Sequence, residues 1–517
     1  MSAAERFDAV VVGAGAGGLT VAVGLARSGR RVALVEAGEV GGDCTNVGCI
    51  PSKTLIGLAR QVAALPPEER PGAAASALAE TRARRDALRA HERAWLGEEA
   101  RLTLVPGRAR LAAGSAATPD VIVRTAAGDE RRLGARRVVL ATGSRPAVPP
   151  LPGLEAVDDG GPVSTHVTLF ELARAPDHLA VLGAGAIGCE LAFAFARLGS
   201  RVTLIEAAER PLPASEPEAS AIVGARLEAL GVRVHLRTRA LGFDAAAGTL
   251  RVTPADAGDP AADVGREIER IAGVDRLLVA VGRRPSADDL GLEAVGVRRD
   301  ARGAVVVDRA YRTSAPGVYA IGDVAGAAST HAANLQGRRL VRYLVAPLPL
   351  LPEGPIPTVA FTEPEVGQVG PTVAQLRCRW PAALLAVERV ALADTDRGRT
   401  AGLRDGFVQL VALRGSGRLL AATVVAPDAG EMLPLLSWAV RRRASAWQLS
   451  RLVVAYPALG EAVRQAADAF VFRSLPRWPT ELATYLRWRW RRPPRRDGER
   501  TVPSAPVAAT PPDGPDL

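Results

Sequence analysis

Lysine is all but missing from this chain of 517 residues: Lys53 stands alone, and every other long cationic side chain is an arginine. A position that keeps lysine under those conditions calls for what guanidinium lacks, a compact ammonium on a flexible stem. Cysteine is scarce too, with only Cys44, Cys49, Cys189 and Cys378. Four are too few to staple a secreted scaffold of this size, and a lone close pair points to catalysis or metal binding. No basic-then-apolar leader is read at the start, because an apolar strand begins almost at once at Phe7. Residues 9–26 carry no charge, but their glycines cut the run into strand, turn and helix, so no membrane span is expected.

What is present is a globular composition, 48% hydrophobic, long enough for two to four domains. The net charge of +10 is partly local: between Val471 and Arg496 there are eight arginines and one acid, Glu481. The plain reading is a solvated arginine-rich tail. The sharper one is contact with a membrane surface, since Trp and Arg together suit a headgroup interface; no nucleic-acid partner is expected. Residues 471–517 are read as a disordered tail, Arg/Trp-rich and then Pro-rich.

Two copies of one unit organise the first two thirds. In the first, an apolar strand leads into Gly13, Gly15 and Gly18, then a helix, then a strand ending at Glu36. In the second the same positions are Gly183, Gly185, Gly188 and Glu206. Each acid lies 18 residues past its third glycine. This is the dinucleotide-binding βαβ fingerprint twice: glycines let the backbone approach a pyrophosphate at a helix N-terminus, and the acid takes ribose hydroxyls. A glycine-rich packing turn explains one copy and not two.

The run Gly41-Gly42-Asp43-Cys44-Thr45-Asn46-Val47-Gly48-Cys49-Ile50-Pro51-Ser52-Lys53 carries the chemistry. Cysteines so spaced at the opening of a helix can bring both sulfurs to one face, where the helix N-terminus and a nearby cation favour thiolate. Metal binding by these two alone supplies half of a tetrahedral site, and no metal is expected. A structural disulfide is the other alternative.

These residues, with Ala141-Thr142-Gly143-Ser144-Arg145-Pro146, Val281 to Pro285, Ala320-Ile321-Gly322-Asp323, Phe361 to Gly367 and Ala429-Gly430-Glu431, make the chain resemble the flavoprotein disulfide reductases over roughly residues 5–470. That family includes dihydrolipoamide dehydrogenase, glutathione reductase and mercuric reductase. The resemblance implies an α/β fold with two Rossmann-like domains and a C-terminal α+β dimerisation domain. Residues 1–149 and 283–346 would bind FAD, 150–282 the nicotinamide cofactor, and 347–470 would form the interface of a homodimer whose sites borrow partner residues. It implies that Gly13, Gly15, Gly18, Glu36, Lys53, Thr142, Gly143 and Asp323 contact FAD, and that Gly183, Gly185, Gly188, Glu206 and Gly282 contact NAD. Cys49 would face the flavin and carry the charge-transfer thiolate, and Cys44 would face the substrate as the interchange thiol. Lys53 would lie near flavin N5 and pair with Glu190. Cys189 and Cys378 are read as packing residues.

A carboxylate at Glu206 favours NADH over NADPH by accepting from a ribose diol and repelling a 2′-phosphate, although Arg201 or Arg210 could rescue the phosphate and keeps NADPH possible. Ala186 takes a place where some relatives have an aromatic gate. The departure that matters is Tyr456, where disulfide-handling relatives have an acid/base histidine oriented by the glutamate matching Glu461. Tyrosine titrates near ~10 and is a poor proton shuttle at neutrality. None of the five histidines (His91, His166, His178, His235, His331) follows residue 331, so none lies in the interface domain; His331 is read as a packing or cofactor contact. Mercuric reductases also lack that histidine, but carry a C-terminal cysteine pair not found here. The expected function is an NAD(P)H-dependent, FAD-containing oxidoreductase acting through Cys44 and Cys49 on a small disulfide, dithiol or soft-metal substrate, cytoplasmic or peripheral to a membrane. Alternatives are a quinone or small-acceptor reductase at a membrane surface, and a flavin-binding sensor or scaffold.

Overall fold

The computed structural model describes residues 5–114, 118–158, 160–256, 269–327, 329–350 and 352–491. The first sheet grows from β1 (Glu5–Val12), whose valines are buried on both faces as a parallel, helix-covered strand demands. A crossover through α1 (Ala16–Arg27) leads to β2 (Val32–Glu36), which pairs parallel with β1 in the register Val10 to Ala33. Two helical segments, α2 (Gly42–Asn46) and α3 (Cys49–Ala64), and the long α4 (Arg70–Gly97) precede β3 (Leu102–Pro106). Then come β4 (Arg108–Ala112), β5 (Asp120–Arg124) and β6 (Glu130–Leu140), giving the order β3-β2-β1-β6-β5-β4.

The chain leaves through β7 (Ser144–Pro146) and builds a second sheet from β8 (Val163–Ser164), α5 (His166–Leu169), β9 (His178–Leu182), α6 (Ala186–Arg197), β10 (Arg201–Ile205), α7 (Pro217–Ala229) and β11 (Arg233–His235). A small meander, β12 (Thr238–Asp244), β13 (Thr249–Pro254) and β14 (Glu269–Ile271), precedes β15 (Arg276–Val279), which closes the order β11-β10-β9-β15-β8. It returns through β16 (Arg283–Pro285), antiparallel to β7, and β17 (Val318–Ala320), parallel to β6. The two glycine loops are built alike. Gly13 and Gly183 sit at φ +101° and +97°, and a Cβ on Gly18 or Gly188 would fall 1.8 or 1.9 Å from the carbonyl oxygen of Gly13 or Gly183. Only glycine lets strand and helix approach so closely.

After α8 (Thr330–Val345) the third region pairs β18 (Thr358–Ala360), β19 (Glu365–Val369), β20 (Leu385–Ala391), β21 (Phe407–Leu413) and β22 (Leu419–Ala426) in the antiparallel order β18-β19-β22-β21-β20. The short α9 (Val373–Arg377) and α10 (Asp396–Thr400) lie in its connections. Its core is closed by α11 (Ala429–Arg441), α12 (Ala446–Leu449) and α13 (Glu461–Ser474).

The tail expectation is corrected in part. Residues 471–474 complete α13, and Trp478–Arg491 form a further helix, α14. Composition concealed the reason, which is long-range: Trp488 stacks on Trp380 with ring centroids 4.6 Å apart, and Glu481 accepts a hydrogen bond from Arg414 at 3.1 Å. Residues 492–517 lie outside the described residues. Among the described residues no helix is long and apolar enough to cross a membrane.

Candidate active site

The two cysteines occupy separate helical segments rather than one. Gly42, at φ +59°, lies so close to the first glycine loop that a Cβ would meet the Gly15 Cα at 2.7 Å, and this contact seats α2 and Cys44 on that loop. Cys49 is the first residue of α3, and Cys49 Sγ lies 3.5 Å from the hydroxyl of Thr330, the first residue of α8. Both thiols are free and partly buried. A hydrogen bond from Cys44 is the largest influence on Cys49; burial opposes it, Thr330 and the Lys53 charge assist it, and the thiol is lowered to about 6. Cys44, holding the shared proton in a partly buried place, is pushed well above the ordinary thiol range. The pair is therefore unequal, with a thiolate at Cys49 and a thiol at Cys44.

Lys53 stands one turn beyond Cys49 on α3. Its Nζ donates to Glu190 Oε2 at 2.7 Å, and the other carboxylate oxygen of Glu190 accepts from the Phe361 amide at 2.9 Å. The ammonium also lies 4.4 Å from the centroid of the Phe361 ring. Packing explains the meeting: Leu55 and Ile56 of α3 share a core with Cys189 and Phe193 of α6. Cys189 is fully buried and donates to the Ala184 carbonyl at 3.3 Å, a packing role.

From Cys44 a cleft of about 650 Å³ runs past Gly13, Gly15, Thr142 and Gly143 to Glu36, with Asp323 on its wall. Glu36 accepts from the amides of Ala14 at 2.6 Å and Gly38 at 2.8 Å. Glu206 repeats the pattern in the second unit, accepting from Ala184 at 2.6 Å and Ala208 at 2.8 Å. Neither arginine considered near Glu206 is idle: Arg201 donates to the Gly273 carbonyl at 3.2 Å, and Arg210 to the Pro213 carbonyl at 3.2 Å and to Glu209. Gly143 and Thr142 are tied to the returning chain, their carbonyl and hydroxyl joining Ser286 at 3.0 and 2.7 Å. The Gly282 carbonyl likewise receives Ala147 N at 2.9 Å.

A family profile described as pyridine nucleotide-disulphide oxidoreductase matches residues 7–337, and that family's dimerisation domain matches residues 356–467. The chain belongs to this family. It is 35% identical over 475 residues to a dihydrolipoyl dehydrogenase of Chlorobaculum tepidum, covering 90% of this chain and 97% of that one. A mercuric reductase of Streptomyces lividans is 34% identical over 503 residues, with 91% and 97% covered. Among solved structures, the Cu(II) complex of the HOCl-induced flavoprotein disulfide reductase RclA from Escherichia coli superimposes with a TM-score of 0.77 at 26% identity, over 90% of this chain and 99% of that one. This oxidoreductase is accordingly FAD-dependent, works with NAD(P)H, and carries the family's two dinucleotide-binding regions and dimerisation domain.

Within one chain of this pyridine nucleotide-disulphide oxidoreductase, neither Tyr456 nor Glu461 lines the chain's own cleft at Cys44, and both lie in the dimerisation domain, from which the family's sites borrow across the dimer. Tyr456 is 71% exposed and its hydroxyl donates to Asp396 at 3.1 Å, while Glu461 accepts from Arg464 at 2.8 Å. Glu461 is thus engaged by its own helix and does not orient Tyr456. His331 bonds the Pro357 carbonyl at 2.6 Å. The structure adds groups with no local signature. Arg283 donates to the hydroxyl and carbonyl of Ser144, both at 2.8 Å, contacts His166 Nε2 at 2.7 Å and pairs with Asp43; Ser144 in turn donates to Asp323 at 2.5 Å. Burial pushes Asp43 up, but hydrogen bonds from His166 and Arg283 and the guanidinium charge outweigh it and hold its carboxyl low. In the sequence Arg283 is marked only by its place in the run Val281 to Pro285.

Proposed function

We propose that this oxidoreductase carries electrons from NADH to Cys44 and Cys49 and on to a soft metal ion or small disulfide, with the soft metal the better fit. FAD, when bound, would supply two-electron redox chemistry between the nicotinamide and the Cys44 and Cys49 sulfurs. The cleft suits it. Gly13, Gly15 and Gly42 present backbone without side chains, Glu36 would take the adenosine ribose, Asp323 the ribityl hydroxyls, and Cys49 with Lys53 would lie at the isoalloxazine end. Lys53, neutralised by Glu190, would stabilise negative charge where the flavin is reduced. Gly183, Gly185, Gly188 and Glu206 would hold the nicotinamide cofactor. The engagement of Arg201 and Arg210 elsewhere supports NADH over NADPH.

The observation that carries the choice of acceptor is a tyrosine, held by Asp396, where a dithiol-oxidising relative needs an imidazole. Asp396 pushes the Tyr456 phenol further up, away from use at neutrality. A soft metal ion can bind the Cys49 thiolate and displace the Cys44 proton to solvent, with no proton shuttle of that kind, and the relatives named above include a mercuric reductase and a flavoprotein disulfide reductase solved with Cu(II). The test is steady-state turnover of the FAD-loaded dimer with NADH and Hg(II) or Cu(II), beside NAD-linked oxidation of dihydrolipoamide at pH 7. Metal-dependent NADH oxidation should be readily measured, and dithiol oxidation should fall short of a histidine-bearing relative by roughly 10²–10⁴. Fast dihydrolipoamide turnover at neutrality would overturn the choice, and failure of NADH to reduce the flavin would leave only a scaffold.

A further inference from the structure

α14 has two faces. Glu481, Tyr485 and Trp488, spaced i, i+4, i+7, face the protein, with Tyr485 and Trp488 rings 6.3 Å apart and Trp488 stacked on Trp380. The helix backbone rests on the turn at Gly415, where a Cβ would meet the Glu481 carbonyl oxygen at 2.8 Å. Helical spacing puts Pro479, Ala483, Leu486 and Trp490 on the opposite side, as i, i+4, i+7, i+11, and all four are exposed, Trp490 to 87%. Phe472 and Leu475, 74% and 61% exposed, precede this stripe. A docked helix with a second apolar stripe facing water is unfinished as a purely internal element.

The charge around the stripe is of one sign. From residue 471 to 491 the sequence has five arginines and one acid, and that acid, Glu481, is spent on Arg414. Arg487 and Arg489 flank Trp490 and are exposed. The segment also lies beyond the family body, since the dimerisation match ends at residue 467 and near-complete relatives cover 90% of this chain.

We propose that α14 is a membrane-docking helix that seats the enzyme, lying flat, on an anionic lipid surface. An occupant for this face must accept an indole and a leucine while attracting arginines. The headgroup and upper acyl region of an anionic bilayer does both, with Trp at the interface depth and guanidinium groups on lipid phosphates. The inward face stays on the protein, so docking needs no unfolding and leaves the cysteine cleft, built from other elements, untouched.

The test uses the full-length FAD-loaded enzyme and flotation with vesicles of phosphatidylcholine alone or mixed equally with phosphatidylglycerol. Binding should occur on the anionic vesicles and fall at least tenfold between about 50 mM and about 500 mM sodium chloride. Trp490→Ala with Leu486→Ala should reduce partitioning at least tenfold at low salt. Arg487→Gln with Arg489→Gln should reduce it roughly 25-fold, about fivefold per arginine. Both pairs are solvent-facing, so NADH-driven flavin reduction should match wild type and report intact folding. Equal flotation of wild type and both double variants would overturn the proposal. So would a wild type that ignores anionic vesicles, whether because the stripe pairs two copies of the chain, seen as a smaller species in sedimentation velocity of the Trp490/Leu486 variant, or because it retains duplex DNA instead.

Discussion

Replacing Lys53 by methionine should raise the pH at which Cys49 ionises, and replacing Glu190 by glutamine should lower it. Lys53 follows Cys49 by four residues on α3, where Cβ atoms lie about 6 Å apart, and this spacing is taken for the two charges. At that distance a unit charge pair is worth roughly 0.7 kcal/mol in water and roughly 2.8 kcal/mol at an effective dielectric of about 20. Lys53 is about a third exposed, with 34% of its side chain accessible, so an intermediate ~1.4 kcal/mol, or about one pH unit, is the working figure. Cys49 ionises at about 6. Lys53→Met should therefore move it to about 7, and the thiolate share at pH 7 should fall from roughly nine tenths to about half. Glu190→Gln keeps the shape and an acceptor for the Phe361 amide but removes a negative charge that holds the thiol up, so its shift is downward. The assay is long-wavelength absorbance of the Cys49 thiolate against the flavin in anaerobic, two-electron-reduced enzyme. That band should grow as pH rises through the thiol's ionisation, since the depressed group is anionic above its pKa and protonated below it. Shifts of the same sign in both variants, or no shift in Lys53→Met, would refute the electrostatic account.

Three other outcomes are expected. Cys49→Ser should abolish that band with FAD retained, whereas Cys44→Ser keeps a hydroxyl donor beside Cys49 and should retain the band but lose acceptor turnover; full activity in both would show that the pair is not the redox centre. NADH should exceed NADPH in kcat/KM, and Glu206→Ala should narrow the gap by removing both ribose contact and phosphate repulsion; strong wild-type preference for NADPH would mean that Arg201 or Arg210 leaves its carbonyl to bind phosphate. Tyr456→His should raise dihydrolipoamide oxidation with a pH profile inflecting near ~6.5. Its gain should be limited while Arg464 holds Glu461, and larger in Tyr456→His with Arg464→Gln, as measured by the two variants' pH–rate curves.

Much of the site was legible because it is local. A glycine at φ +101° leading from a strand into a helix, and an acid a fixed distance later, is a short-range arrangement that leaves its trace in spacing. The cysteine run and Lys53 are equally local, and their segment folds onto the first glycine loop through Gly42. Other parts depend on segments that meet only in three dimensions. Phe361 under Lys53, Thr330 against Cys49 and the Arg283 cluster at Asp43 and Ser144 join positions up to 308 residues apart (361 minus 53), and no periodicity encodes such meetings. The tail shows the same limit, since an arginine-rich composition reads as solvated until Trp380 and Arg414 supply the face on which α14 packs.

The sequence by itself determined that two dinucleotide-binding units and one close cysteine pair are present, since strand, glycine turn, helix and acid are each set by backbone sterics within a few residues. Tertiary structure alone decided that Thr330 lies against Cys49, that Phe361 lies beside Lys53, and that Glu461 is held by Arg464 rather than by Tyr456. Those outcomes depend on distances between side chains from different elements, and both charge and hydrogen bonding act over a few ångströms of space, however far apart the residues lie along the chain.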